Sequence, residues 1–478
     1  MALTKRSLLW AAADTGGTTA ITFVTMILMA RMMTPEQYGI GALVIGTVQL
    51  LNLFVGGFFH DALIQNPDTD DETFETAISL VLVIALGVCA SGGLGAVIAA
   101  HYMLWPAATS WLFVVASFVL PFSGVVGIGF ARMRRDLIFR DVAQASLVGR
   151  LFGCVAGLVL AILGFGAWSL VAQFASDIIV QTAWLFGRGG WWPRPRRRFG
   201  ILWPVCRFAL PYAVMHSLVA VRIQGFLMMV AGFLSLSAAG YVNVAFRLTN
   251  TPQILLVTAF TNLGLPLLAR DQASAPALER SFLLVSQMVL SVTIPAFVGL
   301  ALAAKDLVPI LLGAEWISVI PLVQILAVGA AVTFMRFPAS SLLRALGYVR
   351  YSFASSSFQL VFTLLGIFVL RPGDLQTIVW LWVLPTFVQL PVTLFVVARV
   401  SVIRWRVIGA SFLKVLTATA IMSVVVLAVA DAMRDQAMLA RLLGEVASGA
   451  VTAGTILLLT DGRSRSAIAG ILRKARAY

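Results

Sequence analysis

The residues able to do chemistry in this chain are few, and most are ionisable groups set inside long apolar runs. Arg222 and Arg247 stand on consecutive apolar segments, neither of which contains an acidic residue. Two guanidiniums at one depth form a candidate anion site, because arginine grips an oxyanion in bidentate fashion and keeps its charge. The simpler use of each is to bond helix-end carbonyls or to snorkel outward. Arg150 and Asp177 lie at matching depth on adjoining segments and read as an ion pair that neutralises itself. Asp14 is a candidate proton or cation site. His216 falls at nearly the equivalent place in the second half, and histidine titrates near neutral pH. Each of these two serves equally as a polar group bonding a neighbouring helix. His60 and Asp61 read as an interfacial cap.

Other chemistry is excluded by what the sequence lacks. There is no P-loop, no GxSxG, no HExxH and no spaced set of His and Cys ligands. The longest loops run to about twenty residues, too short for a folded catalytic domain. The expectation is therefore not an enzyme, with no cofactor and no metal site. Cys89, Cys154 and Cys206 lie in or beside apolar runs and read as small buried residues.

The elements that must position these residues follow from composition. Of 478 residues 60% are hydrophobic and only 11% charged, and the mean hydropathy is +0.96. A soluble domain carries about 25% charge, so the chain is an all-α polytopic membrane protein. At about 20 apolar residues per crossing, fourteen spans are expected: 8–30, 39–60, 76–100, 109–131, 142–163, 166–187, 208–232, 239–268, 281–304, 317–335, 351–370, 375–398, 411–430 and 442–460. The first reads as a retained span rather than a cleaved leader, since Asp14 interrupts it.

The net charge of +14 has a topological reading. With the N-terminus inside, about 26 of the 34 Lys and Arg fall on the inner side and five on the outer. Both termini are thus expected in the cytoplasm, and nucleic-acid binding drops out. The segment 61–75 runs against this pattern, being inner and wholly acidic.

The stretch from Arg188 to Arg198 is basic and proline-rich and divides the spans six and eight. It reads as a linker that anchors at the membrane face and touches anionic lipid. An offset of about 201 residues relates the two sides. Thr34…Gly39 falls on Ser235…Gly240, and Phe59-His60-Asp61-Ala62-Leu63 falls on Phe260-Thr261-Asn262-Leu263-Gly264. The expected organisation is two pseudo-symmetric six-helix lobes, 1–187 and 208–398, joined by the linker 188–207. Residues 399–478 add two C-terminal helices and a basic tail.

Three motifs carry a family resemblance: Arg31-Met-Met-Thr-Pro-Glu-Gln-Tyr-Gly39, Ala239-Gly-Tyr-Val-Asn-Val-Ala-Phe-Arg-Leu248 and Leu307-Val-Pro-Ile-Leu-Leu-Gly-Ala-Glu-Trp316. In this order and spacing the chain resembles the polysaccharide transporter family of the multidrug/oligosaccharidyl-lipid/polysaccharide flippase superfamily, which exports O-antigen and exopolysaccharide repeat units. The resemblance implies two lobes around a cavity that opens alternately to each side of a bacterial inner membrane. It implies an undecaprenyl-pyrophosphate-linked oligosaccharide as cargo, with Arg222 and Arg247 on the pyrophosphate and Asp14 and His216 in proton or cation coupling. Polysaccharide polymerase and export machinery would be partners. The competing expectation is a cation-coupled antiporter of the related multidrug-extrusion family, which Asp14 fits equally.

Overall fold

The computed structural model describes residues 5–65, 69–101, 107–188, 194, 196, 198–271, 274–400 and 405–460, so the basic tail 461–478 and part of the linker lie outside it. Every regular element among the described residues is helical. Contacts divide the chain into two compact units, Met1–Asn243 and Val244–Tyr478.

The first unit holds α1 (Lys5–Met32), α2 (Pro35–Asn52), α3 (Phe58–Gln65), α4 (Asp71–His101), α5 (Ala107–Ser117), α6 (Leu120–Arg135), α7 (Phe139–Ile162), α8 (Ala167–Arg188) and α9 (Leu202–Phe233). The division falls inside α10 (Leu236–Arg270). The second unit continues with α11 (Ala275–Leu312), α12 (Val319–Ala345), α13 (Val349–Leu370), α14 (Leu375–Val400), α15 (Trp405–Ala432) and α16 (Met438–Thr460).

Two of the fourteen expected spans are each divided between two helices. A π-helical stretch, Leu53–Gly57, separates α2 from α3 within one expected span. A short turn before Pro121 separates α5 from α6, yet Thr109–Arg135 runs as one apolar crossing. Both breaks have a local cause, an extra residue in the hydrogen-bond ladder in one case and proline in the other. Among the described residues ten helices are long and apolar enough to cross a membrane. The helix α1 is not among them, since Asp14 and five threonines interrupt it. Its Thr15, Thr18, Thr19, Thr22 and Thr25 hydroxyls each lie within hydrogen-bond reach of the carbonyl four residues back, and Thr25 Oγ1 also lies 2.8 Å from Cys154 Sγ on α7.

Glycine decides how closely the helices of the first unit approach. On α7, Gly149, Gly153 and Gly157 recur at four-residue spacing, and a Cβ at any of them would press on Asp177, Gln173 or Ser169 of α8. Small residues at this spacing let membrane helices pack backbone to backbone.

A second close approach joins the starts of α2 and α10. A Cβ on Gly39 would overlap the Leu236 carbonyl, and a Cβ on Gly240 would overlap the Pro35 carbonyl. The contact is reciprocal under the offset of 201 residues. The caps match as well: Thr34 Oγ1 accepts from the Gln37 amide at 3.3 Å, and Ser235 Oγ accepts from the Ala238 amide at 3.0 Å. Thr34 and Gln37 complete a capping box, with Pro35 in the first turn.

In the second unit α12 packs on α11 and α14, with Phe297 and Phe334 stacked at 5.5 Å between α11 and α12. The helices α15 and α16 pack on each other and on α11.

The glycine crossing makes a testable demand. Gly39→Ala and Gly240→Ala should each destabilise the protein by about 1–3 kcal/mol, the usual effect of overpacking. Gly93→Ala, where an added Cβ meets nothing within 4 Å, should be neutral or slightly stabilising. Thermal unfolding of the detergent-purified variants measures the difference.

Candidate functional site

One end of the first unit gathers its charged groups, the end where α1 starts, α6 finishes and α4 begins. Arg134, in the last turn of α6, reaches two other helices. Its Nη2 lies 3.5 Å from Asp14 Oδ2 on α1, and its Nη1 lies 3.2 Å from His60 Nε2 on α3. A guanidinium can only donate, so His60 Nε2 accepts and its ring proton sits on Nδ1. Asp14 and His60 are thus joined through one arginine, a contact sequence spacing gave no reason to expect. His216, on α9, is exposed, and the histidine that meets the partner of Asp14 is His60.

The acidic segment that ran against the charge rule sits at this same end. Arg132 Nη2 lies 2.9 Å from Asp71 Oδ1. From the linker, Arg196 Nε lies 2.8 Å from Glu75 Oε2 and its Nη1 3.2 Å from Glu72 Oε1, while Arg198 Nη1 lies 3.3 Å from Glu72 Oε1. The Arg196 amide donates to Ser79 Oγ at 2.9 Å. The carboxylates of Glu75 and Glu72 hold the Arg196 guanidinium still more firmly protonated. Asp70 caps α4 by accepting from the Thr73 amide at 2.8 Å and the Thr73 hydroxyl at 2.6 Å, and these bonds lower its pKa.

Deeper in the unit, Arg150 Nη1 lies 3.0 Å from Asp177 Oδ2, and Gln181 Nε2 donates to Asp177 Oδ1 at 2.6 Å. The Asp177 side chain is 3% exposed and that of Arg150 33%. The glycine stripe of α7 brings the two backbones near enough for this pair to close. Arg222 on α9 and Arg247 on α10 are both half-buried, and both interact with neighbouring groups.

The second unit carries two charged clusters that reading by apolar runs placed in loops. Arg336 is half-buried well inside α12. Its Nη1 donates to Ser355 Oγ on α13 at 2.8 Å and to Gln389 Oε1 on α14 at 2.7 Å. Gln359 Nε2 donates to the same Gln389 oxygen at 2.7 Å, and Gln389 Nε2 donates to the Ser355 carbonyl at 2.7 Å. One turn away the Tyr351 hydroxyl meets Thr393 Oγ1 at 2.5 Å. The second cluster joins α16 to α11, where Arg441 forks both carboxylate oxygens of the buried Asp306. Among the described residues no group of three or more His, Cys, Asp or Glu is arranged to hold a metal ion.

Comparison with known proteins adds three findings. A family model described as "Polysaccharide biosynthesis protein" matches residues 28–321, more than half of the chain. Among curated relatives, the succinoglycan biosynthesis transport protein ExoT of Rhizobium meliloti (strain 1021) is 25% identical over 332 residues, covering 68% of this chain and 66% of that one, just under two thirds. The teichuronic acid biosynthesis protein TuaB of Bacillus subtilis (strain 168) is 23% identical over 487 residues, 98% of this chain and 97% of that one. Among solved structures, the lipid II flippase MurJ in an inward closed conformation superposes with a TM-score of 0.74, covering 94% of this chain and 98% of that one at 14% identity. An inward-facing multidrug-resistance MATE transporter gives 0.60 over 80% of this chain and 95% of that one, at 15% identity. At such identities the structural likeness is one of fold alone.

The buried pair of the first unit is open to a direct test. Asp177→Asn and Arg150→Gln should each lower stability, toward the low end of about 3–5 kcal/mol because Arg150 is a third exposed. The double variant should recover part of the loss. Thermal unfolding of the four proteins gives the coupling, and a double variant worse than either single one would show that the two do not act as a pair.

Proposed function

Since the chain belongs to the polysaccharide biosynthesis protein family, we propose that it is a flippase for an undecaprenyl-pyrophosphate-linked oligosaccharide. The cargo is moved from the inner to the outer leaflet of the bacterial cytoplasmic membrane for O-antigen or exopolysaccharide assembly, and the chain has no enzymatic activity of its own. The observation that carries this reading is the family match, which takes in all of the first unit from residue 28 onward. The fold shared with a lipid II flippase supports it. A cation-coupled multidrug antiporter is the weaker reading, since the curated relatives are named for polysaccharide synthesis and transport.

The mechanism is alternating access by two six-helix lobes, 1–187 and 208–398, with both chain termini in the cytoplasm. The end of the first unit that gathers Asp14, Arg134, the acidic segment and the linker then faces the cytoplasm. Arg222 and Arg247 hold the cargo diphosphate, for which a forked, permanently charged donor on each helix is suited. Asp14, joined to His60 through Arg134, and His216 respond to the coupling proton or cation. Linker arginines beyond those held by Glu72 and Glu75 meet anionic lipid headgroups, and polymerase and export machinery receive the product.

The test is export of surface glycan, with membrane protein level measured alongside, in cells whose own gene is replaced by Arg222→Ala, Arg247→Ala or both. Each single variant should lose export roughly tenfold, the scale of one charged hydrogen bond, and the double variant should lose nearly all of it at unchanged abundance. Arg222→Lys should keep part of the activity as a point charge. Normal export at normal abundance in the double variant would remove the diphosphate role from these arginines.

A further inference from the structure

A buried charge elsewhere in the second unit has no use in that reading. From Val319 to Val400, through α12, α13 and α14, the only acidic residue is Asp374, against five arginines: Arg336, Arg344, Arg350, Arg371 and Arg399. Asp374 cannot serve Arg336. It stands in the turn between α13 and α14, where it accepts from the Thr377 amide at 2.8 Å. Ser355, which touches Arg336, is fifteen residues of α13 from its end at Leu370, roughly 22 Å.

The groups that do meet the Arg336 guanidinium are neutral. Ser355 and Gln389 accept from Nη1, the Tyr351 hydroxyl lies beside it, and Nε is buried without a hydrogen-bond partner. Neutral acceptors satisfy hydrogens, yet they leave the charge uncompensated, and arginine cannot discharge itself by losing a proton. Nor does the helix dipole account for the position. Arg336 is nine residues, roughly 14 Å, from the end of α12 at Ala345, whereas the dipole acts within the last turn. Arg344 lies on the same helix toward that end, bonded to Ser341 Oγ at 3.1 Å, and adds a second positive charge without an acidic partner on these three helices. Gln389 itself is buried and fixed by Ser355 and Gln359, so the guanidinium is held in one orientation.

We propose that Arg336, framed by Ser355, Gln389 and Tyr351, is a binding site for a phosphate-class anion, separate from Arg222 and Arg247. A structural hub of hydrogen bonds needs no net charge at this place, and an anion supplies the missing countercharge and a partner for Nε. The same oxyanion chemistry belongs to a phosphate reaching the site from water and to the headgroup of an anionic lipid. The inference stands on the charge of α12–α14 alone and is independent of the transport reading.

The test uses the full chain purified into phosphatidylcholine nanodiscs, with inorganic pyrophosphate as the probe and the unfolding midpoint, read by tryptophan fluorescence, as the signal. The titration is run on the wild type and on the Arg222→Ala/Arg247→Ala variant, so that a response from those arginines is separated from one at Arg336. A second arm replaces part of the phosphatidylcholine with phosphatidylglycerol. Stabilisation by pyrophosphate that persists in the double variant and vanishes when Arg336→Gln is added supports a site reached from water. Stabilisation only by phosphatidylglycerol, again lost with Arg336→Gln, supports a lipid headgroup at the same residue. Arg336→Lys, which keeps the charge without the fork, should respond with a half-saturating concentration raised roughly tenfold. Equal responses of wild type and Arg336→Gln in both arms would overturn the proposal. Should the Arg336 variants fail to fold, a wild type that responds in neither arm would overturn it as well.

Discussion

A charge inside a bundle of membrane helices has to find an opposite charge, a dipole or water, and much of this structure is arranged around that requirement. At mid-bilayer an unpaired ion costs about 2.5–3.5 kcal/mol on insertion scales. In the first unit the requirement is met by Arg150 and Asp177, and the pair depends on backbone geometry. Only because Gly149, Gly153 and Gly157 admit α8 so closely does Asp177 come within 3.0 Å of Arg150. In the second unit Asp306 and Arg441 do the same between α11 and α16. That bond ties α16 to α11, while α15 meets α11 through an apolar cluster of Leu290, Ile294 and Val415. Arg336 is met by neutral groups instead, and this contrast with the paired sites marks it for attention.

The same electrostatics organises the end of the first unit. Counting Lys and Arg assigns sides because those residues resist translocation, whereas acidic residues weigh little. The acidic segment around Glu72 and Glu75 therefore says nothing against an inner placement. Its work is local: it meets Arg132 of α6 and Arg196 and Arg198 of the linker. These contacts tie the linker to the start of α4, so part of its positive charge is already engaged within the protein.

Much of this was legible in the sequence. Among the described residues ten of the fourteen apolar stretches are helices long and apolar enough to cross a membrane, a property that length and apolarity alone determine. The broken crossings were not legible as such. A π stretch at Leu53–Gly57 and a proline at position 121 alter the hydrogen-bond ladder without changing hydropathy. Thr34…Gly39 and Ser235…Gly240 could be aligned by type and spacing, but only coordinates show the two glycines touching. Arg336 and Arg441 were hidden for one reason. A basic residue at the edge of an apolar run looks like a loop residue, and helices that continue past that edge carry it inside. The link from Asp14 through Arg134 to His60 joins three helices and leaves no trace in local spacing.

The central claim is that this chain carries a lipid-linked oligosaccharide across a bilayer. Its most direct test is reconstitution of the purified protein into sealed vesicles that hold a polyprenyl-diphosphate oligosaccharide in both leaflets. The sugar open to a membrane-impermeant glycosidase added outside is then measured. The account predicts that vesicles with the protein expose the inner-leaflet share over time, until nearly all of the sugar is cut. Digestion that halts at the outer-leaflet share, identical to protein-free vesicles under an imposed proton or sodium gradient of either direction, would contradict it.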